Sequence, residues 1–229
     1  MPDKRLIFLG LTLLAACGFY LFYGLSGAVA FILELRATRL WSLLLIGAGI
    51  GASTVVFQTV TGNRLLTPAI MGFDALFLLE QTGLVFALGG AGYVATFGPA
   101  KFLMDCAVMM VAAVVLFSLL MGKGRQDMHR MILVGVIVGL FFRSVTGLMQ
   151  RLIDPAEFGV VQGAMFASFA PVEPLLLYLA TAIMLPILGL LVYLAPRLDV
   201  VALGRDTAVG LGLPYDRMVL ICLALVSAL

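Results

Sequence analysis

The sequence predicts an all-α, polytopic membrane protein with about seven spans, and three observations carry that reading. The 229 residues are 63% hydrophobic and only 11% charged, where a soluble domain of this size carries roughly 25% charged residues. Apolar runs of about 20 residues, the length that crosses a bilayer as a helix, recur along the chain. The sequence lacks the alternating segments of about 10 residues that mark a membrane β-barrel.

The first span is expected at 6–26. Lys4, Arg5 and the apolar run into Leu14-Ala15-Ala16-Cys17 look like a lipoprotein signal. The apolar run continues through GFYLFYG, however, where a signal peptide turns polar, so an uncleaved span is predicted. Further spans are expected at 40–60, 69–88, 103–121, 131–149 and 174–194, with a last one starting near 218. The N-terminus and the connections 61–68, 122–130 and 195–217 hold Lys4, Arg5, Arg64, Lys123, Arg125, Arg130, Arg197, Arg205 and Arg217. The connections 27–39, 89–102 and 150–173 hold only Arg36, Arg39, Lys101 and Arg151. Positive charge stays inside, which predicts a cytoplasmic N-terminus. The apolar run from Met218 is about 12 residues long, too short to cross, so the chain reads as the N-terminal portion of a longer protein. No Gly/Ser or Pro linker divides it, and a single transmembrane domain over 1–229 is expected.

Two connections read as more than loops. In 150–171, Asp154 before Pro155 predicts the cap and first position of a short helix at the outer mouth. In 195–217, two short helical pieces are expected, broken at Gly204 and at Gly212/Pro214, with Leu203, Ala208 and Leu211 forming a small apolar face. That face is either a docking surface for a soluble partner or part of a solvated loop.

Ionisable groups inside a membrane are costly and point to function. Arg143 lies inside the fifth span and shares one helical face with Thr146, Gly147 and Gln150. These four either line a water-filled path or leave Arg143 paired within the bundle with Asp74, Glu80 or Asp105. In the second span, Gly47, Gly51, Thr54 and Gln58 share a face that reads as helix packing, with Gln58 bonding across helices. Pro186 predicts a kink. His129 is the single histidine, and the isolated Cys17, Cys106 and Cys222 read as small core residues. Nothing resembles a zinc-protease, serine-hydrolase or phosphate-binding motif, so an enzyme is not predicted and any ATP binding belongs to another chain. No basic block interleaved with aromatics suggests nucleic acid.

Three separated segments together resemble the permease subunits of ABC importers for ferric siderophores and cobalamin, the iron-chelate uptake permease family. They are Leu35-Arg36 to Arg39; Asn63-x-Leu65-x-x-Pro68 with Gly72; and Leu198-Asp199, Leu203-Gly204, Ala208 and Leu211-Gly212. Thr38 stands where the family has a proline, and Arg64 and Leu66 replace its Pro and Ala. NRLLTPAIMGFD from Asn63, with Phe142-Arg143-Ser144 and Phe166-Ala167-Ser168-Phe169, looks like the ferric-siderophore branch. The family has ten spans, so the resemblance implies that the last third is absent.

The resemblance implies roles residue by residue. Arg36 and Arg39 would dock a substrate-binding lipoprotein, Asn63 and Leu65 would narrow the cytoplasmic exit, and 198–212 would couple to the ATPase. Arg143, Thr146, Gly147 and Gln150 would line the pathway. The implied partners are a second permease, identical or homologous, a cytoplasmic ATPase pair and the binding protein. The cargo would be a ferric siderophore, carried across the bacterial inner membrane by alternating access. The chain itself would bind no cofactor or metal, ATP and Mg being used by the partner ATPase. Two alternatives stand beside this: the same architecture carrying cobalamin or haem, and a secondary transporter driven by an ion gradient through Asp74, Glu80 and Asp105.

Overall fold

The computed structural model describes residues 4–25, 27–64, 66–120, 128–165 and 172–229, with side chains at all of these except 70–71, 116–120, 128–132 and 164–165. Among them are nine α-helices and no strand: α1 (Lys4–Phe22), α2 (Val29–Thr61), α3 (Phe73–Ala95), α4 (Pro99–Leu120), α5 (Met128–Leu152), α6 (Pro155–Met165), α7 (Pro174–Ala202), α8 (Arg205–Gly210) and α9 (Tyr215–Ala228). A 3-10 turn, Pro68–Met71, precedes α3. Five helices among the described residues are long and apolar enough to cross a membrane: α1, α2, α3, α5 from Leu133, and α7. The seven expected spans fall on α1 to α5, α7 and α9.

Several helices outrun their predicted ends. α2 has 33 residues, about 50 Å at 1.5 Å per residue, and projects beyond a hydrocarbon layer about 30 Å thick. Arg36 and Arg39 therefore sit within a helix instead of in a loop over 27–39. Thr38 is accommodated in this helix, its hydroxyl donating to the Glu34 carbonyl at 2.9 Å. A proline there would remove a backbone donor and interrupt the ladder. α7 likewise continues through Pro196 to Ala202, eight residues past the expected boundary. α3 reaches Ala95 but breaks at Gly89, whose φ of 71° and ψ of 166° are not helical. A β-carbon at Gly89 would lie 3.0 Å from Glu157 Oε1 of α6, so the break is also a point of close approach. The predicted start of α6 is borne out: the Ala156 N–H donates to Asp154 Oδ1 at 2.9 Å.

Two apolar cores hold the helices. The larger gathers Val56, Phe57 and Val60 of α2 with Leu191, Leu194, Leu198 and Val201 of α7, Ala208 of α8, and Tyr215, Met218, Val219, Cys222, Leu223 and Val226 of α9. The smaller unites Val85 and Tyr93 of α3 with Ile153 and Val161 around the α5–α6 corner. Helix α1 has no buried residue and packs mainly beside α2. The packing glycine of α2 is Gly49, which faces Met184 of α7, whereas Gly47 and Gly51 face open space. Gln58 does not bond across helices either: its amide donates to the Arg64 carbonyl at 2.7 Å and closes the turn after α2.

Candidate functional site

The candidate residues collect in three places along the bundle. At one end, the early turns of α2 meet the end of α1 and the start of α7. Arg36 Nη1 donates to the carbonyls of Tyr20, Leu21 and Tyr23 at 3.1, 3.3 and 2.7 Å. The last carbonyls of a helix have no partner within it, and a cation is favourable there. Arg36 thus caps α1 while keeping its charge. Arg39, half-buried, is one turn further along. Both line an open cleft of about 410 Å³ with Phe19, Tyr20, Tyr23, Phe31, Ile32 and Leu35. Trp41, beside them, donates its indole N–H to Thr181 Oγ1 of α7 at 3.0 Å.

At the opposite end, α2 terminates at Gly62, whose φ of 61° is the left-handed conformation that glycine adopts without strain. Asn63 is exposed, its carbonyl accepting from the Leu66 N–H at 3.4 Å. Leu65, the second expected exit residue, lies outside the described residues. Leu66 enters the same core as Leu198, Val201 and Ala208, so the turn after α2 and the α7–α9 connection share this end.

That connection is a rigid corner. Gly204 and Gly212, with φ of 92° and 83°, bracket α8 as the sequence predicts. The Leu213 N–H donates to the Ala208 carbonyl at 2.9 Å, and Arg205 reaches Asp216 at 3.4 Å. The expected apolar face needs correction. Ala208 is fully buried and does not belong to an outer face, and Leu198, expected among the coupling residues, is buried beside it in the core. A six-residue helix exposes one side only, and here it turns Ala208 inward. Leu203, Val209 and Leu211, between 51% and 65% exposed, make the apolar surface, with Asp199, Gly204 and Gly212 exposed around them. Val209 went unnoticed in the sequence because a single turn has too few residues to reveal its phase.

In the middle of the α5 span, Arg143 bonds Asp74 in the first turn of α3, Nη2 to Oδ2, at 2.8 Å. Their side chains are 56% and 46% exposed. Of the three acids that could have paired with it, packing selects Asp74. The selection follows from a close backbone contact one turn earlier: a β-carbon at Gly72 would stand 2.5 Å from Gly139 Cα. The expected polar stripe does not hold together as one exposed face. Gly147 and Gln150 are half-buried, and Thr146 is buried with its hydroxyl donating to the Phe142 carbonyl at 2.8 Å.

The remaining acids sit apart. Asp105 pairs with Lys101, whose ammonium also donates to Gln81 Oε1 at 2.7 Å and lies 5.0 Å from the Tyr93 ring centroid. Tyr93 donates to the same Gln81 oxygen at 2.8 Å. Glu80 Oε2 and Asp105 Oδ1 are buried without a hydrogen-bond partner. No group of three or more His, Cys, Asp or Glu side chains gathers among the described residues.

A model of the FecCD transport family matches residues 8–229. The petrobactin import system permease protein YclO of Bacillus subtilis (strain 168) is 39% identical over 228 residues, covering 99% of this chain and 71% of its own length. The petrobactin import system permease protein FatC of Bacillus anthracis is 28% identical over 198 residues, covering 86% of this chain and 56% of its own length. The ferric enterobactin transport system permease protein FepG of Escherichia coli (strain K12) is 25% identical over 259 residues, covering 99% of this chain and 74% of its own length. A structure described as an inward-facing metal-chelate type ABC transporter superposes with a TM-score of 0.75 at 23% identity, covering 98% of this chain and 72% of that one.

Proposed function

The chain belongs to the FecCD transport family, and from that premise we propose that it is the permease subunit of an ATP-driven importer of ferric siderophores. The permease makes and breaks no bonds in its cargo. It alternates between outward-open and inward-open states, and two ATPase subunits bias that equilibrium through their different contacts with each state. The names of the relatives, petrobactin and enterobactin permeases among them, support a siderophore cargo.

The observation that carries the reading is the α7–α9 corner. A short helix braced by two left-handed glycines, a buried Ala208 and an Arg205–Asp216 bond presents Leu203, Val209 and Leu211 outward. Three exposed apolar side chains on a rigid mount suit a groove on a soluble partner better than they suit water. We assign that partner as the ATPase and this end as cytoplasmic, in accord with the basic residues of 195–217. Asn63, at the same end, narrows the exit, a role that the resemblance also gives to Leu65. Arg36 and Arg39, both half-buried at the rim of the cleft at the other end, orient the binding protein through its acidic residues, as complementary charge does at many interfaces. A second permease completes the pathway.

Both ends can be tested on the assembled importer. Leu203→Asp is expected to release the ATPase in co-purification while the permease stays folded, and full retention would count against the coupling role. Arg36→Glu with Arg39→Glu is expected to abolish binding-protein docking and uptake. Docking at the wild-type affinity would sink that assignment. Radiolabelled ferric-siderophore uptake that needs neither ATP nor the ATPase would overturn the function as a whole.

A further inference from the structure

The Arg143–Asp74 pair occupies a position that packing alone does not explain. Counted at about 1.5 Å per residue, Arg143 lies about 22 Å along α5 from Met128 and about 14 Å from Leu152. It is therefore deep within a membrane-spanning helix, yet 56% exposed. Exposed apolar side chains flank it, among them Ile137, Leu140 and Phe141, all above half exposure. A half-exposed ion pair at that depth is costly to set against hydrocarbon. The face formed by α3 and α5 must meet water or protein.

The pair is also made with a light hold. Only Nη2 of the guanidinium reaches Asp74, and only through Oδ2. A two-pronged arginine–carboxylate bond uses two parallel N–H donors, and this one engages a single donor of a half-exposed guanidinium. An oxygen anion arriving on the open face would therefore find further N–H donors on the same guanidinium. It would gain a charge-assisted hydrogen bond at the cost of a single-pronged, half-exposed ion pair.

Resting on the permease reading above, we propose that Arg143 is a cargo-binding residue with Asp74 as its internal counter-ion. An anionic oxygen of the iron chelate, a phenolate or a carboxylate, displaces Asp74 during passage. Asp74 then returns to Arg143 and releases the chelate. The guanidinium is thus never left uncompensated in the membrane, and cargo is not trapped on a fixed charge. Gly72 and Gly139 hold the two helices close enough for this exchange.

The test is ATP-dependent uptake by the full importer in proteoliposomes, with a ferric tris-catecholate polyanion as probe and thermal stability measured in parallel. Arg143→Gln is expected to lower the maximal rate roughly tenfold or more, the weight of a hydrogen bond to a charged group, with little loss of stability. Arg143→Lys, which keeps the charge, is expected to retain a substantial part of the rate. The exchanged pair Asp74→Arg with Arg143→Asp restores the ion pair but offers cargo the opposite local geometry, and it is expected to fold and not transport. Wild-type rates in Arg143→Gln or in the exchanged pair would overturn the proposal, because either result makes the pair a brace only. Should Arg143→Gln fail to assemble, loss of transport in a folded Arg143→Lys importer would overturn it equally. A wild-type importer that carries no iron chelate would instead overturn the permease reading.

Discussion

Lys101–Asp105 and Arg143–Asp74 are both ion pairs on membrane-spanning helices, and their surroundings are opposite. The first is buried, with side-chain exposures of 8% and 17%, and the second is half open, at 56% and 46%. Lys101 spends its donors on Asp105 and Gln81 under the Tyr93 ring. Arg143 spends one donor on Asp74. The buried pair welds the first turns of α4 to α3 and leaves little for a ligand to reach. The open pair leaves both side chains about half exposed, with a single donor engaged. Charge in a membrane protein therefore does not mark a site by itself; charge with unspent donors does.

The comparison can be broken most easily at the buried pair. Lys101→Met leaves the Asp105 carboxylate buried and uncompensated, which typically costs about 3–5 kcal/mol. Thermal unfolding of the solubilised permease should fall sharply, and Lys101→Met with Asp105→Leu should recover most of the loss, because matched apolar groups replace buried ion pairs at little cost. If the double variant is as unstable as the single, the knot does more than pair charges.

A smaller effect is expected at Gly72→Ala. The new methyl group meets Gly139 Cα and the residue has a φ of 90°, so a loss of about 1–3 kcal/mol is expected. That substitution pushes Asp74 away from Arg143, and uptake should fall together with stability. Retained uptake would mean the pair tolerates a looser fit than its geometry suggests. Smallest of all is the stability change in Arg143→Gln, within about 1 kcal/mol for a half-exposed pair. A drop as large as that of Lys101→Met would erase the distinction between the two pairs.

Much of the architecture was legible in the sequence because its signals are local. Apolar runs marked the spans, Asp154-Pro155 marked the start of α6, and Gly204 and Gly212 marked the borders of α8. The family motifs were legible for the same reason, being short turns and helix ends with few allowed residue types. Helix ends were less legible. Charged residues such as Arg36, Arg39 and Arg197 read as loop, yet α2 and α7 run through them, α7 even past Pro196, whose missing N–H does not end the helix.

By itself, then, the sequence determined a helical, multi-pass membrane protein of this transport family and the positions of its tight turns. Apolar length and glycine conformation act within a few residues, and no distant contact is needed to read them. Only the tertiary structure decided which acid Arg143 meets, since Asp74 lies 69 residues away and Glu80 and Asp105 were equal candidates. It also decided that Ala208 turns inward, that Gly49 is the packing glycine, and that one ion pair is sealed while the other is open. Each is a choice of face, and a helix presents every face until its neighbours arrive. The functional proposal for Arg143 depends on such a choice, because the guanidinium gains its role from the surface that α3 leaves uncovered.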